Sequence, residues 1–136
     1  MIFFKAQKLQ RLAELLQEIQ RRQEAGGGEA HLVEEGLEEV AERIGVELEM
    51  VRLATPETLL GVLAPGREAD PGKLWVVAEL LYHDRRLALA AGASEAAADR
   101  KAKALLLYAR VGSGVALPEG STSPADRIRE LEHPGP

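Results

Sequence analysis

The chain contains no cysteine and no asparagine, and only five aromatic residues: Phe3, Phe4, Trp75, Tyr82 and Tyr108. Without cysteine there is no disulfide framework, no thiolate metal site and no cysteine nucleophile, a usage that fits a cytoplasmic protein. Long apolar runs are missing too. The apolar start, Met1 to Phe4, meets Lys5 at once and then a mixed amphipathic pattern, so it lacks the continuous stretch of a signal peptide or a membrane span, and a soluble protein is expected. Excess positive charge is absent: the formal charge is −5, the wrong sign for neutralising phosphates, so no nucleic-acid binding is expected. The glycine runs, Gly26 to Gly28 and Gly112 with Gly114, lack a following Lys-Ser or Lys-Thr and read as helix breakers, not as phosphate cradles.

What the sequence has is helical period. Leu9, Leu12, Ala13, Leu16 and Ile19 recur at spacings of three and four within a helix expected over 5–24. A second helix, over 29–44, turns Val33, Leu37, Val40, Ala41 and Ile44 to one side. Thr55-Pro56-Glu57 starts a brief helix carrying Leu59, Leu60 and Leu63. The segment 46–53 is short, with no clear alternation, and is expected to be a linker.

The stretch 70–111 should dominate the core. Asp70 and Pro71 open a long helix that Gly92 stops, and Ser94 is expected to cap the next, which runs to Val111. A last short helix starts at Ser123-Pro124, and the tail 133–136 should fray. The expected fold is all-α: a single domain over 1–136, in which antiparallel helical hairpins form a bundle of five or six helices.

Gly72-Lys73-Leu74, Ala78-Glu79-Leu80-Leu81 and Lys103-Ala104-Leu105-Leu106-Leu107-Tyr108, after a leucine-rich first helix, resemble a family of small bacterial all-helical proteins of unknown function. The central hairpin is also similar in shape to a tetratricopeptide unit, with Gly92 at its turn and Ala97 and Ala104 at small-residue positions, although no second copy occurs at the required period. Neither resemblance implies a catalytic residue or a cofactor.

Candidate site residues fall into three groups. Glu79 and His83, four apart, share a helix face, but two ligands are too few for a metal, and their position opposite Leu74, Leu81 and Ala88 predicts a solvated polar pair. His31 with Glu34 and Glu35 reads the same way, so no metal and no cofactor are expected. Trp75, Tyr82 and Leu89, spaced by seven, form a flank too apolar to face water: either the chain's own first or second helix covers it, the commoner arrangement, or it joins Phe3 and Phe4 as the interaction surface for a protein partner or a second copy. Asp84 and Lys101 lie on or beside inward faces of the two hairpin helices, and a turn centred at Gly92 and Ala93 sets them opposite each other, so they are expected to form an ion pair. The first functional expectation is a helical interaction or scaffold module, self-associating as a homodimer. The alternative is a small all-helical enzyme or ligand-binding bundle with an arginine-lined pocket, for which Arg11, Arg52 and Arg85 stand beside apolar positions.

Overall fold

The computed structural model describes residues 6–26, 30–64, 69–112 and 115–133. Seven α-helices follow one another there: α1 Ala6–Ala25, α2 Ala30–Arg43, α3 Leu48–Leu53, α4 Pro56–Leu63, α5 Pro71–Ala90, α6 Ser94–Val111 and α7 Pro124–Glu132. Helices cover 80% of the described residues and no strand occurs among them, which establishes an all-α bundle with one helix more than the sequence led us to expect.

The ends form where side chains satisfy backbone donors. The Asp70 carboxylate accepts from the Gly72 N–H at 2.8 Å, with Pro71 at the first helical position of α5. At the head of α4, Thr55 and Thr58 each accept from the other's backbone N–H, a reciprocal cap. Ser123 accepts from Asp126 N–H at 3.1 Å to open α7. Ser94 caps nothing: it is the first residue of α6, and the cap position belongs to Ala93, which has no side-chain bond to offer.

The extra helix is α3, where the sequence suggested a linker. Six residues are too few to hold a helix by propensity alone. Here the fully buried Lys103 ammonium, carried by α6, donates to the Val51 and Arg52 carbonyls at 3.0 and 2.9 Å, satisfying two acceptors that the end of α3 leaves open. Leu48 and Val51 add an apolar anchor on the inner side.

The pivot is α5, about 30 Å long by its length of 20 residues. Every residue from Leu74 to Asp84 is buried, because α6 folds back along one side while α1 and α2 pack on others. Gly92, at φ +74°, makes the turn between α5 and α6 in a conformation that side-chain-bearing residues rarely adopt. α7 closes the bundle against α6, with Leu131 fully buried.

A helix covered on all sides decides between the two readings of the Trp75 flank and overturns the expectation of a solvated Glu79 and His83. Trp75 and Tyr82 are covered by the chain's own helices, 1% and 9% exposed, and offer no docking surface; only Leu89 of that flank, at 49%, faces solvent. Phe3 and Phe4 lie outside the described residues. Glu79 and His83, expected in water, are 3% and 0% exposed. The face opposite Leu74 and Leu81 is covered as well, by the pairing of α1 with α5 and by Arg127 of α7.

Candidate binding cleft

Three polar residues on α5 have to be accommodated inside the bundle, and each has recruited partners from distant parts of the chain. Asp84 is bound by α3 and α6. Its carboxylate takes Arg52 of α3 on both oxygens, Nε at 3.0 Å and a terminal nitrogen at 2.8 Å, and Arg100 of α6 at 2.8 Å. Arg52 also reaches Glu34 of α2 at 2.5 Å and Glu49 at 3.0 Å. Burial disfavours the Arg52 charge, but Glu34 and Asp84 more than offset this and its pKa is raised.

The expected pair with Lys101 does not form. Asp84 meets Arg100 instead, one position earlier on α6, and the guanidinium forks occupy both carboxylate oxygens. Lys101 is half-buried. Asp84 does take cationic partners at the helix interface, as its inward position demanded; one of them, Arg52, comes with α3, an element that local sequence signals do not place.

Glu79 is held in the same manner on another side of α5. Arg127 of α7 clasps it with Nε at 2.9 Å and a terminal nitrogen at 3.1 Å, and the Tyr108 hydroxyl donates to it as well. The remaining Arg127 donors go to Glu130 at 3.3 Å and to the Gln20 side-chain oxygen at 3.2 Å, and its guanidinium lies over the Tyr82 ring, 3.9 Å from the centroid. Burial works against the Arg127 charge, but Glu79 and the two tyrosines raise its pKa on balance. Burial, and then Glu79, push the Tyr108 hydroxyl well above its usual range, so it stays protonated and donates.

His83, one turn beyond Glu79, is the third. Its Nδ1 lies 2.8 Å from the Gln23 side-chain oxygen, while the Gln23 amide nitrogen donates to the His83 carbonyl at 2.9 Å. Turning the amide over would set its oxygen against that carbonyl, two acceptors face to face; the orientation is therefore fixed, and with it the proton on Nδ1. Nε2 is left with a lone pair. Burial, reinforced by the charges of Arg127 and Arg86, lowers the His83 pKa to about 3, so the ring is neutral through the physiological range.

Trp75, Glu79 and His83 succeed one another at intervals of four along one stripe of α5, and Gln17, Gln20 and Glu24 form the facing stripe of α1. The turn at residues 119–122 and Arg127 complete the walls of a cleft of about 360 Å³. Gly120 brings the turn onto α1: it sits at φ +88°, and a Cβ placed there would stand 3.1 Å from the Gln17 amide nitrogen. Three buried side-chain atoms have no hydrogen-bond partner among the described residues: Trp75 Nε1, His83 Nε2 and Ser121 Oγ. All three belong to residues that line this one cleft. Buried polar groups are nearly always paired, so three unpaired ones in the lining of a single cleft single it out among the grooves of the described residues.

His83 stays neutral and Tyr108 stays protonated through the neutral range, and the Glu79 carboxylate is held by Arg127 and Tyr108. Among the described residues no three acidic or histidine side chains are placed to hold a metal ion. Of the arginines considered from the sequence, Arg11 borders a separate shallow groove beside Lys8 and Arg43, Arg52 serves Asp84, and Arg85 is half-buried; they do not converge. His31, with Glu34, borders another groove between α1, α2 and the end of α5.

Sequence inspection missed the cleft because its walls come from segments far apart in the chain: Arg127 and Gln20, hydrogen-bonded to each other there, are 107 residues apart. One signal was present. From Leu74 to Tyr82 the only charged residue is Glu79; a helix apolar on every side is buried on every side, so its few polar residues must be paired inside. No helix among the described residues is long and apolar enough to cross a membrane. No family model, curated protein or solved structure matches the chain.

Proposed function

We propose that this protein is a small-molecule-binding helical bundle that takes a polar ligand into the cleft between α1, α5 and the 119–122 turn. One observation carries the reading: the unpaired buried atoms Trp75 Nε1, His83 Nε2 and Ser121 Oγ gathered around one opening. Leaving each unsatisfied costs about 1–3 kcal/mol, a cost that a polar group would relieve once the cleft walls part enough to admit it, since the three atoms are closed to solvent in this structure. The chain has a single tryptophan, so its fluorescence reports this cleft alone. Titration with a library of small polar compounds should yield at least one saturable change in Trp75 emission, accompanied by a rise in melting temperature. A library of several hundred compounds spanning neutral, anionic and cationic classes with no such response overturns the reading.

A second reading, an interaction or scaffold module that self-associates, draws on a different observation. Leu53 is 78% exposed and Met50 47%, both on α3, and Leu89 and Val62 are also open to solvent. Exposed large aliphatic side chains of this kind favour a second copy or a protein partner as cover. Sedimentation at high concentration checks it: a strict monomer, unchanged by Leu53→Ser, removes the homodimer. The absence of cysteine supports a cytoplasmic setting for either reading.

A further inference from the structure

A groove apart from this cleft lies between the end of α1, the start of α2 and the last turns of α5, and at about 710 Å³ it is the larger of the two. Small-molecule sites have volumes of roughly 300–1,000 Å³ and mainly apolar walls. Here the aliphatic surface comes from Val33 of α2 and from Leu87, Ala90 and Ala91 at the end of α5. Covering it removes apolar area from water, which favours an occupant with an apolar body.

The polar side chains in the lining differ in what they already hold. The Gln23 amide is bound at both ends to His83, at 2.8 and 2.9 Å. Glu34, the one carboxylate among the described lining residues, accepts from Arg52 at 2.5 Å. Arg22 stands 3.6 Å from Glu18. Arg86 is different: it lines the groove half-buried, with no hydrogen bond and no ion pair to any described residue. His31, exposed on the other wall, is also basic.

These commitments decide the charge of an occupant. A cation finds no open carboxylate, because Arg52 already neutralises Glu34. A wholly apolar molecule covers Arg86 and strips water from a guanidinium that has no partner, a cost set against the gain of its own burial. A carboxylate turns that cost into a charge-assisted hydrogen bond, and the long stem of Arg86 lets the guanidinium fork swing onto it. We infer that this groove binds a free amphipathic monocarboxylate, its carboxylate held by Arg86 and its aliphatic chain laid against Val33, Leu87 and Ala90.

The test is a matched panel titrated against the intact chain by calorimetry, with backbone amide NMR to locate the site. Octanoate and decanoate carry both features; octanol has the chain without the charge, octylammonium the opposite charge, and acetate the head without the chain. The two acids should bind saturably, octanol and octylammonium at least about tenfold more weakly, the usual worth of one charge-assisted hydrogen bond, and acetate undetectably. Shifts should gather at residues 30–34 and 86–91. Arg86→Gln should weaken octanoate about tenfold and leave octanol unchanged, while Ala90→Phe, at an exposed position, should fill the groove and block octanoate. Both variants should melt within a few degrees of wild type, which separates lost binding from lost folding. Octanoate that binds no better than octanol, or that is indifferent to Arg86→Gln or to Ala90→Phe, overturns the assignment, and so do shifts confined to the 119–122 turn or no saturable binding at all. Capture of the chain by phosphatidylglycerol vesicles without octanoate binding assigns the groove to a lipid surface instead and overturns it as well. The reading of the cleft beside Trp75 stands or falls separately, since Arg86 and Ala90 are not in its walls.

Discussion

Acid should unfold this protein through His83 in a way that one substitution isolates. An unfolded histidine takes up a proton near pH 6.5, whereas His83 in the bundle resists protonation down to about pH 3. Between those values the unfolded chain binds more protons than the folded one, so stability is fully present above pH 6.5 and falls as the pH falls toward 3. The window is about 3.5 pH units wide, and at about 1.4 kcal/mol for each the limiting loss is about 5 kcal/mol. At pH 5 the loss is already about 2 kcal/mol, a large part of the 5–15 kcal/mol typical of a domain. Urea denaturation of the wild type and of His83→Gln at pH 7, 6 and 5 measures it. Carboxylates in ion pairs also weaken in acid, but they are common to both proteins and cancel in the difference. The variant, lacking the titrating ring, should be less stable at pH 7 and should lose about 2 kcal/mol less between pH 7 and pH 5. Parallel profiles would refute the argument, and so would an NMR titration of the His83 ring with a midpoint above pH 5.

Other consequences follow from the buried pairs. Asp84→Ala removes the carboxylate that Arg52 and Arg100 share, leaving Arg52 with Glu34 and Glu49 and Arg100 with Asp99, and should cost about 1–3 kcal/mol in denaturant unfolding, whereas Lys101→Ala should fall within about 0.5 kcal/mol of wild type. Lys103→Met removes the donor from two α3 carbonyls and a partner from Asp99, 2.8 Å away; a loss of about 2–4 kcal/mol is expected, with faster amide exchange in α3. Glu79→Ala and Arg127→Ala should each destabilise by about 3 kcal/mol or more, and the double variant by clearly less than their sum, since each single change leaves a buried charge without its bidentate partner; additive losses would show that the two are uncoupled. Gly120→Ala should be destabilising by about 1 kcal/mol or more and should alter Trp75 emission, because the residue would need a positive φ and would press on Gln17 beside the cleft.

Local chemistry alone determined most of the helices. The period of Leu9, Leu12, Leu16 and Ile19, the caps at Asp70, Thr55 and Ser123, and the break at Gly92 are readable within a few residues, and α1, α2, α4, α5, α6 and α7 begin and end within one or two residues of where these signals place them. The all-α class follows from the same signals. α3 did not emerge, because what holds a six-residue helix here is the ammonium of Lys103, some fifty residues onward. The cleft escaped for a related reason. A helical wheel sorts α5 into an apolar side and its opposite, which is the right division for a helix at a surface; α5 is not at one, and α1, α2, α6 and α7 cover it from several directions. Only that enclosure turned Glu79 and His83 from surface residues into buried ones, chose Arg100 over Lys101 for Asp84, and put Ser121 and Trp75 in the lining of one cleft. Side-chain periodicity specifies which way a residue points; what it then meets depends on which helices arrive there, and that is decided by packing across the whole chain.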